Sequence, residues 1–291
     1  MASPAPTSAS TPKPKPSQPP TSILPSQFAR VYALAHPAIL LSLVAYRFSS
    51  VTDNPVGELL GDIPYLVGLQ VVFVMGCLPP AGTEKETTST STSTVPGTDD
   101  TKTVKKISGG GGGSGSGPRR RGKSSSSALS VWSAGLIQVA WKLAPALLSL
   151  TLTILLATPV LSFLLILFGA PLTTHHVLTF LCAAHMALLS CFPLVYVHGA
   201  VGSVWKEIWG AARPMDAVWG GALGTCLGAW VGAVPIPLDW DRPWQAYPIT
   251  ILTGAYIGYA LGVLGGRVTG VFGKRVEFAP APEQARDVKA D

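Results

Sequence analysis

Glycine recurs at every fourth position twice in this chain, at Gly220, Gly224, Gly228 and Gly232, and again at Gly254, Gly258, Gly262, Gly266 and Gly270. A period of four keeps each series on one face of a helix, because residues i and i+4 lie one above the other. Glycine weakens a helix in water, so a ladder of it points to a place where missing side chains let another backbone approach closely, as between helices in lipid. With only a short link between them, the two ladders predict a tightly packed antiparallel hairpin. The other partner such a face would fit is a helix of another protein.

That link is the most polar short stretch among the apolar runs. Pro237-Leu238-Asp239-Trp240-Asp241-Arg242-Pro243-Trp244-Gln245-Ala246-Tyr247-Pro248-Ile249-Thr250 holds two carboxylates, an arginine and two tryptophans. Charged groups do not lie in hydrocarbon without partners, so the knot belongs at a membrane surface. Its residues admit three roles. Asp239 and Asp241 could cap the second helix or close a turn, with Arg242 paired internally. Arg242 and the tryptophans could bind a lipid phosphate or glycan, since a guanidinium offers forked donors to phosphate. The group Asp239, Trp240, Asp241, Arg242 and Trp244 could also dock a partner domain, for which Trp and Arg are preferred anchors.

Composition agrees with a bilayer as solvent. Charged residues are 12% of 291 and apolar ones 47%, although about a third of the chain is polar low-complexity sequence. The expected fold is an all-α polytopic membrane protein of about six transmembrane helices. The spans read as Phe28 to Tyr46, Ile63 to Leu78, Leu143 to Phe168, His176 to Val197, Met215 to Val234 and Tyr247 to Gly266. The second is short unless Gly57 to Leu60 joins it, and a kink is expected near Pro159 in the third. The organisation follows: a disordered tail over 1–27, two helices in 28–78, a low-complexity loop over 79–142, four helices in 143–270 and a tail over 271–291.

Of the 21 Lys and Arg, all but Arg47 and Arg242 fall on the side shared by both termini, which places the termini in the cytoplasm and the knot on the lumenal or outer side. The first 22 residues lack an apolar core, so no cleavable signal peptide is expected and the first span acts as its own insertion signal. The long loop carries a Ser/Thr tract, Gly109 to Gly113, and the cluster Arg119-Arg120-Arg121-Gly122-Lys123. Such sequence buries too little apolar surface to fold. Its charge reads as a topology signal, with attraction to anionic lipid as the alternative, and nothing marks a nucleic-acid partner. Cys77, Cys182, Cys191 and Cys226 all fall inside spans without CxxC spacing, so they read as small packing residues.

Groups able to do chemistry are few. Asp53, Glu58, Asp62, Asp239 and Asp241, with Arg47, Arg242, His175 and His176, fall on the knot's side. No HExxH, GxSxG or P-loop pattern occurs, and adjacent histidines on a helix point apart, so no catalytic residue, metal site or cofactor is expected. His185 and His198 lie within spans, where an imidazole bonded to a neighbouring helix competes with a proton relay. His36 suits an interfacial or bundle contact. Trp205, Trp209, Trp240 and Trp244 lie where an aromatic belt would sit.

The knot and the following Gly254-Ala255-Tyr256-Ile257-Gly258-Tyr259 resemble the C-terminal signature of the PIG-F family of glycosylphosphatidylinositol (GPI) anchor biosynthesis proteins. Phe192-Pro193-Leu194 and the stretch Trp205 to Gly210 entering the fifth span fit as well. The resemblance covers 143–270 closely and 30–78 less so, and the loop between looks like a lineage-specific insertion of fungal type. It implies a multi-pass protein of the endoplasmic reticulum that stabilises a GPI ethanolamine-phosphate transferase. In that family the partner subunit carries the metal-dependent lumenal catalytic domain. The implied partners are that catalytic subunit, membrane lipid and the GPI precursor. The competing function is a small lipid transferase or lipid transporter with its own intramembrane polar site, although no repeated halves are visible.

Overall fold

The computed structural model describes residues 19–82, 126–238 and 241–275, and of 126–138 only the backbone. The chain divides into two units, 1–81 with 145–291 and 82–144. Residues 83–125, which carry most of the expected loop, lie outside the described residues.

The described secondary structure is helical. Helix α1 (Gln27–Asp53) starts at Ser26, whose hydroxyl accepts from the Ala29 amide at 3.1 Å. It ends at Asn54, a single residue that also caps α2 (Pro55–Cys77): its side chain accepts from Gly57 N at 3.3 Å, and Pro55 supplies the first helical residue. Asn-Pro thus turns the chain in one residue. Both helices extend past the expected spans, α1 to Asp53 and α2 back through Gly57 to Leu60.

Helix α3 (Ser126–Leu152) begins well before the expected Leu143. It runs through a π-helical segment, Thr153–Ala157, into α4 (Thr158–Leu167). Pro159 has no amide to return to the preceding turn, and the wider turn just before it accommodates that loss. Hydroxyls of Ser149, Thr153 and Ser162 bond back to carbonyls four residues earlier. This leaves no polar donor facing lipid there.

Helix α5 (His176–His198) is the centre: 83% of its most apolar window is buried, against 11% for the stretch 139–167. It packs against α2, α4, α7 (Ala217–Ala233) and α8 (Ile249–Gly265), while α1 packs on α2 and α8. The stretch Trp205 to Gly210 does not lead into the fifth span. It belongs to a separate short helix, α6 (Gly202–Trp209), which buries Val204 and Ile208 and exposes Trp209. The alternation of apolar and polar residues every three to four positions is what a surface-lying helix needs.

Helices α7 and α8 have 17 residues each, about 25 Å at 1.5 Å per residue, near the lower limit for a span. Helix α7 starts at Asp216, whose Oδ1 accepts from Val218 N (2.9 Å) and Trp219 N (2.8 Å) while Oδ2 accepts from Thr21 N at 2.9 Å. Reciprocal bonds of 2.8 Å, Met215 N to Lys274 O and Gly273 N to Met215 O, close the same end. The core runs in layers along the bundle. Phe73, Phe192, Tyr196 and Trp219 fill one end, Leu40, Leu66, Leu189 and Tyr259 the middle, and Leu59, Leu181, Met186 and Ile251 the other. Cys77 and Cys182 are buried among them, whereas Cys226 is exposed.

Candidate functional site

The two glycine ladders face each other. A Cβ placed on Gly220, Gly224 or Gly228 would fall on the carbonyl of Gly262, Gly258 or Gly254, and the reverse holds for each of those three. A Cβ on Gly258 would stand 2.8 Å from the Cα of Gly228. At the ends, Gly232 lies against Thr250 and Gly266 against Asp216. Gly270 does not take part: it lies beyond α8, and a Cβ there meets nothing within 4 Å. The helices therefore touch backbone to backbone, where dispersion acts over the shortest distance.

At the tip of the hairpin, Asp239 and Trp240 lie outside the described residues. The turn is held by Gln245, which the sequence reading passed over. Its Nε2 donates to Pro235 O (2.8 Å) and to Leu238 O, and its Oε1 accepts from Arg242 N at 3.4 Å. A side-chain amide is suited to this because it carries donors and an acceptor together. Asp241 does not cap α8, whose N-cap is Pro248 without a side-chain bond. Asp241 instead adopts a left-handed φ of 49°, which Asp tolerates better than most residues. Arg242 is exposed and forms no ion pair among the described residues; a pairing with Asp239 lies outside them. Trp244 is half-buried. The Tyr247 hydroxyl donates to Thr179 Oγ1 at 3.0 Å, tying the knot to α5.

His185 is wholly engaged. Nε2 is 3.0 Å from the Leu59 carbonyl and Nδ1 is 2.8 Å from the Tyr256 hydroxyl. His36 is fully buried, stacked on Phe73 at 4.6 Å between ring centroids, and neither ring nitrogen has a hydrogen-bond partner among the described residues. His198 is buried at the opposite end of α5, and His175 is exposed with Nδ1 2.9 Å from Thr174 Oγ1. Among the described residues no group of three or more His, Cys, Asp or Glu is placed to hold a metal ion.

A charged cluster that the sequence reading did not assemble lies beside His185. Arg47 of α1 pairs with Glu58 of α2, and its Nε lies 2.9 Å from Asp62 Oδ1. The three side chains are 27, 29 and 12% exposed. Glu58 and Asp62 are four apart, hence on one helical face, and that spacing was the available signal. Arg47 and Asp62 line a small cavity of about 30 Å³ with His185 and Tyr256. Phe48 and Thr253 belong both to that cavity and to an open groove of about 710 Å³ running along the outer side of the hairpin. Gly224, Gly228, Gly254 and Gly258 line the groove among exposed Leu227, Val231 and Leu261.

Comparison with known proteins bears on this arrangement. The model of the GPI biosynthesis protein family Pig-F matches residues 35–267. A glycosylphosphatidylinositol anchor biosynthesis protein 11 of Aspergillus fumigatus is 55% identical over 277 residues, covering 95% of this chain and 92% of the relative. A protein of the same name from Neurospora crassa is 40% identical over 248 residues, 85% and 78% of the two chains. The human GPI ethanolamine phosphate transferase, stabilizing subunit, is 35% identical over 104 residues, 34% of this chain and 47% of that one. No solved structure matches.

Proposed function

This chain belongs to the GPI biosynthesis protein family Pig-F, and from that premise we propose that it is the non-catalytic, stabilising membrane subunit of a GPI ethanolamine phosphate transferase. The observation that carries the reading is the family match across all the apolar helices, joined to the name of the human relative. The geometry is compatible with it: His185 inside the bundle binds helix to helix, in the bridge from Leu59 to Tyr256.

A stabilising subunit must offer a surface that already has its bound shape, because ordering on contact subtracts from affinity. The backbone-to-backbone hairpin and the Gln245-braced tip supply such a surface. In this reading the tip, with Asp239, Trp240, Asp241, Arg242 and Trp244, meets the catalytic partner or the GPI headgroup on the lumenal side, and both termini lie in the cytoplasm. The charge asymmetry supports that orientation, and the family supports the endoplasmic reticulum as the membrane. The outer face along 145–167 stays open to lipid or to the partner's spans.

The test is purification of the full chain in mild detergent, identification of bound proteins and assay of ethanolamine phosphate transfer. A transferase co-purifies, and its abundance falls when this chain is depleted. Transfer by this chain alone overturns the reading.

A further inference from the structure

We propose that the pocket between the N-terminal segment 21–23 and the turn that follows α8 binds the phosphate of an anionic phospholipid, in the leaflet on the side away from the knot. Arg267 and Thr21 hold the phosphate, and the acyl chains lie outside along Val268, Val271 and Phe272.

The pocket, about 380 Å³ in volume, is walled by Thr21 and Ile23, by Ala217 at the start of α7, and by Arg267, Thr269 and Phe272. Its depth in the membrane follows from α8. That helix leaves the knot at Ile249 and ends at Gly265, about 25 Å away at 1.5 Å per residue, which puts Arg267 near the opposite edge of a hydrocarbon core of about 30 Å. Lipid phosphates lie at that level. On the same turn Val268, Val271 and Phe272 are exposed, an apolar surface continuous with the pocket through Phe272.

Charge selects the phosphate. Arg267 is half-buried and forms no ion pair among the described residues, and its buried Nη1 has no hydrogen-bond partner there. Thr21 is 3% exposed, and its Oγ1 likewise has no partner among the described residues. Donors left in that state are costly, and phosphate oxygens accept from a guanidinium N–H and a hydroxyl alike. Asp216, beside Ala217, does not serve instead: its two oxygens accept from the amides of Thr21, Val218 and Trp219, and its charge meets the positive end of the α7 dipole. A guanidinium also presents its N–H groups as a fork that matches phosphate. The apolar walls Ile23 and Phe272, at membrane depth, favour a phosphate carried on a lipid over a free ion.

The site needs this chain alone. Full-length protein in detergent is titrated with phosphatidylglycerol and phosphatidylcholine of identical acyl chains, and complexes are counted by native mass spectrometry. The choline lipid carries the same phosphodiester with its own compensating cation, so phosphatidylglycerol is expected to bind about tenfold tighter. An equal concentration of inorganic phosphate should displace none of it. Arg267→Gln abolishes the preference, whereas Arg275→Gln, which removes the same charge from an exposed position outside the pocket, preserves it. Thr21→Val, of nearly the same shape without the hydroxyl, loses part of the preference and carries the test should Arg267→Gln fail to fold. Equal binding of the two lipids, which an acidic side chain seated on Arg267 would give, overturns the proposal. So does an equal loss in Arg267→Gln and Arg275→Gln, the mark of diffuse attraction, or displacement by inorganic phosphate, the mark of a site for the free ion.

Discussion

The hydroxyl of Tyr256 stands 2.8 Å from Nδ1 of His185, and the other ring nitrogen is 3.0 Å from the carbonyl of Leu59. A carbonyl only accepts, so Nε2 carries the proton and Nδ1 accepts from the phenol. The neutral imidazole joins α2, α5 and α8 in one bridge. A proton relay needs a ring nitrogen open to an incoming proton, and this histidine has neither free.

Tyr256→Phe should lower the thermal midpoint of the purified protein, by the worth of one interhelical hydrogen bond in lipid, about 0.6–1.7 kcal/mol. His185→Leu breaks both bonds and leaves the phenol unsatisfied, so it should lower the midpoint further. Thermal unfolding in detergent, followed by circular dichroism, decides. Equal midpoints in all three proteins would mean that the bridge does not hold the helices.

The glycine contact makes a sharper demand. Even the single methyl of Gly228→Ala or Gly258→Ala would enter the opposing backbone, which cannot rotate away as a side chain can. Each should cost about 1–3 kcal/mol or more and reduce the amount of folded protein. Gly265→Ala and Gly270→Ala meet nothing within 4 Å and should leave it unchanged. Fluorescence-detected size exclusion of the four variants gives the comparison. Four indistinguishable profiles would falsify backbone contact between α7 and α8.

The hairpin was legible because a period of four states which face is bare, and two such faces joined by a short link have few other ways to meet. The span ends were less so, since apolarity stops at the membrane edge whereas the helices continue: Asn54 ends α1 by its cap geometry, seven residues past the expected Tyr46. The Arg47, Glu58 and Asp62 cluster escaped because its cation and its anions come from different helices, and only the one-residue turn at Asn54 brings them together. Gln245 carries no periodicity at all; its role depends on where Pro235 and Leu238 leave their carbonyls.

Ala211 follows the short helix α6 with a φ of 51°. A side chain in the left-handed region costs roughly 1–2 kcal/mol, and glycine removes that cost at the expense of a looser unfolded chain. Ala211→Gly should therefore raise the thermal midpoint slightly, whereas Ala211→Val, branched at Cβ, should lower it. A fall with glycine would mean that the Ala211 methyl contributes more through packing than its backbone loses.

The knot separates structure from recognition residue by residue. Gln245→Ala removes the side-chain donor to the part-buried carbonyls of Pro235 and Leu238, the former keeping its bond from Leu238 N, at about 0.5–1.5 kcal/mol for a lost hydrogen bond, and should loosen the tip. Arg242 is exposed and holds no described neighbour by an ion pair, so Arg242→Ala should leave the thermal midpoint unchanged. If the tip meets the catalytic subunit, the same change lowers recovery of that subunit in a detergent pulldown, because exposed arginines with adjacent tryptophans are the side chains whose truncation most often weakens an interface. Stability and recovery should thus part company in Arg242→Ala and fall together in Gln245→Ala. Full recovery of the partner with Arg242→Ala and with Trp244→Ala removes the knot from the docking surface and leaves the outer helix faces as the place of contact.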